Sequence, residues 1–166
     1  MGNPAIHHDH VGNTLFDCFD TAVHLGNHAA GNDTFLKELL CFADGNLGNQ
    51  SRRIVLVDHN ETSQSVPGLE EARIVAIIDH HRIADIETTN PIYLRNEPVG
   101  STNTIIADMF RERGLIPTPK LAGLMAAAIV SDTVMFKSPT CTDRDIRAAQ
   151  RMARIANISL EALGKL

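Results

Sequence analysis

The chain has 166 residues, 43% hydrophobic and 21% charged, which is the size and balance of one globular domain. A formal net charge of −5 argues against nucleic acid as its main partner. Cys18, Cys41 and Cys141 have no paired spacing, so a disulfide framework is excluded and a reduced, cytoplasmic protein is expected. No run is long and apolar enough to span a bilayer, so no membrane partner is expected. The opening Met-Gly-Asn-Pro-Ala-Ile lacks a basic and apolar leader, and Ile6 stands where a myristoylation signal needs Ser or Thr.

Residues 1–33 are rich in Gly, Asn and His and read as a polar N-terminal segment with one helix over 16–25. His7, His8, Asp9 and His10 form a chelating cluster within it. Asn32-Asp33-Thr34 caps a predicted helix over 35–43, which Gly45 stops. A loop over 45–51 leads to a strand over 53–57, and this ends in Asp58-His59-Asn60-Glu61. Residues 61–68 read as a loop and 69–73 as one helical turn. The β-branched run over 74–78 predicts a strand buried on both faces. It ends in Asp79-His80-His81-Arg82.

A connector over 87–90 and a short strand over 92–94 come next, and then a turn at Pro98-Val99-Gly100. Helices are predicted over 104–113, 119–130 and 142–157. The first buries Ile105, Ile106, Met109 and Phe110 and stops at Gly114. The second is almost wholly apolar and delivers Ser131-Asp132-Thr133 at its end. The third carries a capping box of Thr142 and Asp145. Arg144, Arg147, Arg151 and Arg154 lie near one of its faces, which is read as a solvated face rather than a grip on a phosphate backbone. Ser159 caps a last helix.

Three apolar segments thus each deliver an aspartate, two of them followed by histidine. In an open parallel sheet, chemistry collects at the carboxyl ends of the strands. Clustered Asp and His there point to a divalent metal such as Mn2+. Gly100-Ser101-Thr102 precedes a helix and suits either an anion or a plain N-cap.

The same blocks resemble the DHH phosphoesterase superfamily: Asp58-His59-Asn60-Glu61, Asp79-His80-His81-Arg82-Ile83, Pro98 to Thr102, and Ser131-Asp132-Thr133 continuing through Phe136 to Thr140. Within it they look like the manganese-dependent, family II, inorganic pyrophosphatases, and Glu70-Glu71-Ala72 is closest to the branch with cystathionine-β-synthase-type domains. The resemblance covers 53–164. It implies an α/β three-layer sandwich with a mainly parallel sheet, built from a DHH-type domain over 51–166 behind a poorly matched segment over 1–50.

It further implies hydrolysis of pyrophosphate with Mn2+, or with Co2+ or Mg2+, in a homodimer. Asp58, His80 and Asp132 would be metal ligands. His81 would face the substrate as a catalytic residue, oriented by Asp79, and Ser101, Thr102 and Lys137 would touch phosphate. The family's opening His-x-Asn-Pro-Asp-x-Asp is missing. Aligned on Asn3-Pro4, its ligand positions hold Met1, Ala5 and His7. The family's second domain, with its basic clamp, would lie beyond Leu166. Two further readings therefore stand: a DHH phosphodiesterase acting on short oligonucleotides or cyclic dinucleotides, and an inactive binding or dimerisation remnant.

Overall fold

The computed structural model describes residues 53–65, 69 and 72–164. The expected helices over 16–25 and 35–43, the loop over 45–51 and the His7–His10 cluster lie outside the described residues.

Three parallel strands form the sheet in the order β1 (Arg53–Val57), β2 (Arg73–Asp79) and β3 (Tyr93–Asn96). The first two pair from Arg53 with Arg73 to Val57 with Ile78. The register slips once, because Ile54 faces Ile74 while Val55 faces Ala76. The extra residue, Val75, explains why β2 breaks alternation. Val75 and Ala76 both pack with the larger core, whereas Ile74 and Ile77 pack on the opposite face. β3 begins one residue later than the expected strand and runs two residues further, to Asn96, which pairs with Asp79.

The helices follow as α1 (Thr102–Glu112), α2 (Pro119–Asp132), α3 (Asp143–Ala156) and the short α4 (Leu160–Leu163). On one face of the sheet, Val55, Val57, Ala76 and Ile78 join Ile105, Ile106, Met109 and Phe110 of α1, with α2 and α3 packed beyond. Burying each such side chain contributes roughly 1.5–3 kcal/mol. On the other face, Ile54, Leu56 and Ile77 pack with Leu69, Ala72, Ile86 and Ile92 from connecting segments. Both faces are covered, as the unbroken apolar composition of β1 and β2 requires.

The helix ends follow their chemistry. Ser101 caps α1 by accepting a hydrogen bond from the Asn103 backbone N–H at 3.2 Å, so this helix starts two residues before the expected point. Gly114, at φ 66°, takes the left-handed position just past its end. Pro119 opens α2 and the Thr118 hydroxyl accepts from the Leu121 N–H. Helix α2 is less completely buried than its composition suggests, because Leu124 stays 48% exposed.

The arginine face of α3 is not simply solvated. Arg144 pairs with Glu97 at 2.5 Å and with Asp108 at 2.9 Å. Arg151 donates to the Ala107 carbonyl at 2.8 Å. These contacts tie α3 to α1 and to the loop after β3, while Arg147 and Arg154 remain exposed.

Candidate metal centre

The backbone turns sharply where β1 ends. Asp58 sits at φ 66°, a left-handed conformation uncommon for any residue with a side chain. Its N–H still donates to the Ile78 carbonyl at 3.0 Å. The turn sends the Asp58 carboxylate toward the end of β2, where His80 Nε2 lies 3.4 Å from Asp58 Oδ1.

Asp79 is the buried hub of this edge. It is completely inaccessible to solvent and accepts four interactions on one carboxylate. The His80 N–H and His81 N–H donate at 2.7 and 3.2 Å, His81 Nδ1 lies at 2.8 Å, and Asn60 Nδ2 donates at 2.5 Å. Burial opposes ionisation of Asp79, but these donors outweigh it and hold the carboxyl below its usual range.

Asn60 also donates to the Arg82 carbonyl at 2.9 Å and accepts from the Ala84 N–H at 2.5 Å. It therefore clamps the loop after β2 to the loop after β1. Sequence reasoning assigned Asn60 no role. Its place two residues after Asp58 was visible, but its partners lie 19 to 24 residues away.

Both histidines are oriented through Nδ1. His80 Nδ1 bonds to the Val99 carbonyl at 2.9 Å, and His81 Nδ1 to Asp79. A ring that gives its Nδ1 proton to a carbonyl or carboxylate presents the Nε2 lone pair, the usual arrangement of a metal-bound imidazole. The ring centroids are 4.1 Å apart. One ligand atom from each of Asp58, His80 and His81 falls within 4.8 Å of the others, and this is the only such group of three or more among the described residues.

The electrostatics agree. Burial raises the Asp58 carboxyl, but hydrogen bonds from His80 and Thr102 and the nearby imidazoles bring it below its usual value. Burial likewise disfavours the charged form of His80, yet its bond to Asp58 pushes it above the ordinary imidazole range. An oxygen and imidazole nitrogens on a half-exposed edge fit a divalent transition metal such as Mn2+ or Co2+.

Asp132 stands beside this cluster rather than inside it. It comes from the last residue of a helix, where the dipole disfavours a negative charge. Although Asp132 is exposed, the solvation its carboxyl loses and then the charge of Asp58 push it up, against a 2.6 Å hydrogen bond from Ser101 Oγ. The Thr102 hydroxyl donates to Asp58 Oδ1 at 2.9 Å. Lys137 is exposed in the turn after α2, where its backbone N–H bonds to the Thr133 carbonyl.

A parallel sheet that places Asp58 just past β1 and Asp79, His80 and His81 at the end of β2 defines an α/β domain with a candidate site for a divalent metal. The chain belongs to the DHH family: the family's N-terminal domain matches residues 6–129. Among curated proteins, it is 52% identical over 119 residues to the cobalt-dependent inorganic pyrophosphatase of Clostridium perfringens, covering 72% of this chain and 22% of that protein. It is 50% identical over 118 residues to a Brevibacillus brevis protein named "Probable manganese-dependent inorganic pyrophosphatase", covering 71% of this chain and 38% of that one. A solved structure described as "Methanococcus jannaschii putative family II inorganic pyrophosphatase" superimposes with a TM-score of 0.65 at 45% identity, over 70% of this chain and 40% of that one. The chain thus spans well under half the length of each.

Proposed function

We propose that this chain carries a metal centre for the hydrolysis of inorganic pyrophosphate to two phosphates, using Mn2+ or Co2+. The observation that supports it most directly is the pair of imidazoles that present Nε2 beside Asp58. The names of the similar proteins supply the substrate and the metals. In this reading Asp58 and His80 would hold the ion, with Asp132 reaching it from beside the cluster. A bound divalent ion supplies a water of lowered pKa and neutralises phosphate charge.

The chain's own residues do the rest. Asp79 fixes the tautomer and direction of His81, whose side chain is 49% exposed and available to a ligand. Only as the doubly protonated ring, with Nδ1–H held on Asp79, would His81 donate from Nε2 to a phosphate oxygen. Val99 and Asp58 hold His80 from its two nitrogens. Lys137, exposed after α2, would add a cation near phosphate. A homodimer in the cytoplasm completes the proposal. No described helix is long and apolar enough to cross a membrane.

The test is phosphate release from pyrophosphate with saturating Mn2+, with Asp58→Ala as background and a dinucleotide as a competing substrate. Release abolished by Asp58→Ala supports the proposal. Release no greater than that of the variant rejects it and leaves the inactive remnant. Cleavage of the dinucleotide alone would favour the phosphodiesterase.

A further inference from the structure

Ser101 and Thr102 open α1 as neighbours in sequence, and their side chains diverge onto two different carboxylates. Ser101 is fully buried and its hydroxyl donates to Asp132 Oδ2 at 2.6 Å. Thr102 is 1% exposed and its hydroxyl donates to Asp58 Oδ1 at 2.9 Å. A hydroxyl has a single hydrogen. Once it is given to a carboxylate, none remains for a phosphate oxygen, which also needs a donor. Ser101 Oγ is further occupied as acceptor of the Asn103 N–H. The substrate role expected from sequence for these two hydroxyls therefore has no hydrogen left to act through.

The segment that carries them is locked from behind. Asp145, buried in α3, accepts from the Gly100 N–H at 2.9 Å and from the Thr104 hydroxyl at 2.6 Å. The same carboxylate accepts from the Thr142 N–H and hydroxyl at 2.7 and 2.6 Å. At Gly100 the backbone passes so close that a Cβ would lie 2.7 Å from Thr133 Cγ2. The start of α1 is thus wedged between the end of α2, which bears Asp132, and the start of α3.

We propose that Ser101 and Thr102 are positioning residues for the metal centre, whose two hydroxyls aim the Asp132 and Asp58 carboxylates toward a shared ion. The proposal rests on the metal-centre reading above. Two carboxylates that are to share one ion must be held facing it before the metal arrives. Carboxylate torsions are soft, and a buried donor on one oxygen of each fixes the plane of both. Outer-shell partners of this kind are worth about 10- to 100-fold in metal affinity.

The experiment is calorimetric titration of the chain with Mn2+ at one pH, beside the thermal midpoint of each variant. Thr102→Val keeps the shape and removes the hydroxyl, Thr102→Ser restores the hydroxyl, and Ser101→Ala removes the second one. We expect Thr102→Val and Ser101→Ala each to weaken Mn2+ about 10- to 100-fold, with Thr102→Ser recovering most of the loss. A merely structural role would move the midpoint and leave affinity alone, and would not distinguish Ser from Val. Parent-like affinity in Thr102→Val and Ser101→Ala overturns the proposal, as does Thr102→Ser binding no better than Thr102→Val. A parent chain that takes up no Mn2+ overturns it together with the metal centre. Mn2+ uptake without phosphate release removes only the pyrophosphatase reading, and the affinity comparison still decides this one.

Discussion

His81 Nδ1 lies 2.8 Å from Asp79 Oδ1, joining a half-exposed ring to a carboxylate with no access to solvent. The carboxylate cannot drift, because Asn60 and the backbone N–H groups of His80 and His81 hold it. The ring direction is therefore set from inside the protein. Asp79→Ala would leave the buried Asn60 amide without its carboxylate and release the turn after β2. We expect a loss of about 1–3 kcal/mol in unfolding free energy by urea titration. The same variant should weaken Mn2+ binding by about 10-fold or more, as loss of an orienting carboxylate does.

Asp58 is held at a positive φ that Asn tolerates and Ala does not. Asp58→Asn keeps an acceptor for the Thr102 hydroxyl, whereas Asp58→Ala keeps neither the acceptor nor a residue suited to the turn. Asp58→Asn should therefore be more stable than Asp58→Ala by roughly 1 kcal/mol or more. Both should lose most Mn2+ affinity. Thermal melts of the two with and without Mn2+ check this, because only a binding-competent chain gains stability from the ion.

Gly100 is required by space. Gly100→Ala places a methyl 2.7 Å from Thr133 Cγ2 and 3.2 Å from the Cys141 Cα. Overpacking of this kind costs about 1–3 kcal/mol. Thr133→Ser removes the nearest methyl and keeps the hydroxyl that bonds to the Ile129 carbonyl at 2.6 Å. The double variant should recover part of the loss, and a double-mutant cycle by chemical denaturation measures the coupling.

Asp145 gives the fold an acid-sensitive contact. Burial opposes its charge, but the Thr104, Thr142 and Gly100 donors hold its carboxyl below the ordinary 3.8. A carboxyl depressed in the folded state stabilises the fold above its unfolded value and loses that contribution as pH falls through the folded one. Asp145→Asn should therefore be less stable than the parent at pH 7. The difference should be intact at pH 5 and should shrink below about pH 3.8 as the parent's carboxylate takes up its proton. Urea midpoints at pH 7, 5 and 3 measure it, and a difference that does not change with pH would show that charge is not what Asp145 contributes.

Local composition and the family blocks were enough to place the described strands and helices and the family. Strands at 53–57 and 74–78 were legible because β-branched apolar runs stop abruptly at Asp58 and Asp79. The buried face of α1 and the capping box of α3 were legible because helical spacing and capping are local. Edges moved by a residue or two where a cap or a pairing partner intervened, as when Ser101 started α1 early and Asn96 prolonged β3 against Asp79. The family blocks also singled out Asp58, His80, His81 and Asp132, of which the fold brings Asp58, His80 and His81 into one cluster. How these side chains are held emerges only from long-range packing. Thr102 meets Asp58 across 44 positions, Asp145 meets Gly100 across 45, and Asn60 meets Asp79 across 19. Periodicity and propensity report what a segment does with its own neighbours. Which hydroxyl finds which carboxylate is set when α1, α2 and α3 close over one face of the sheet, because packing brings together donors and acceptors that the sequence keeps far apart.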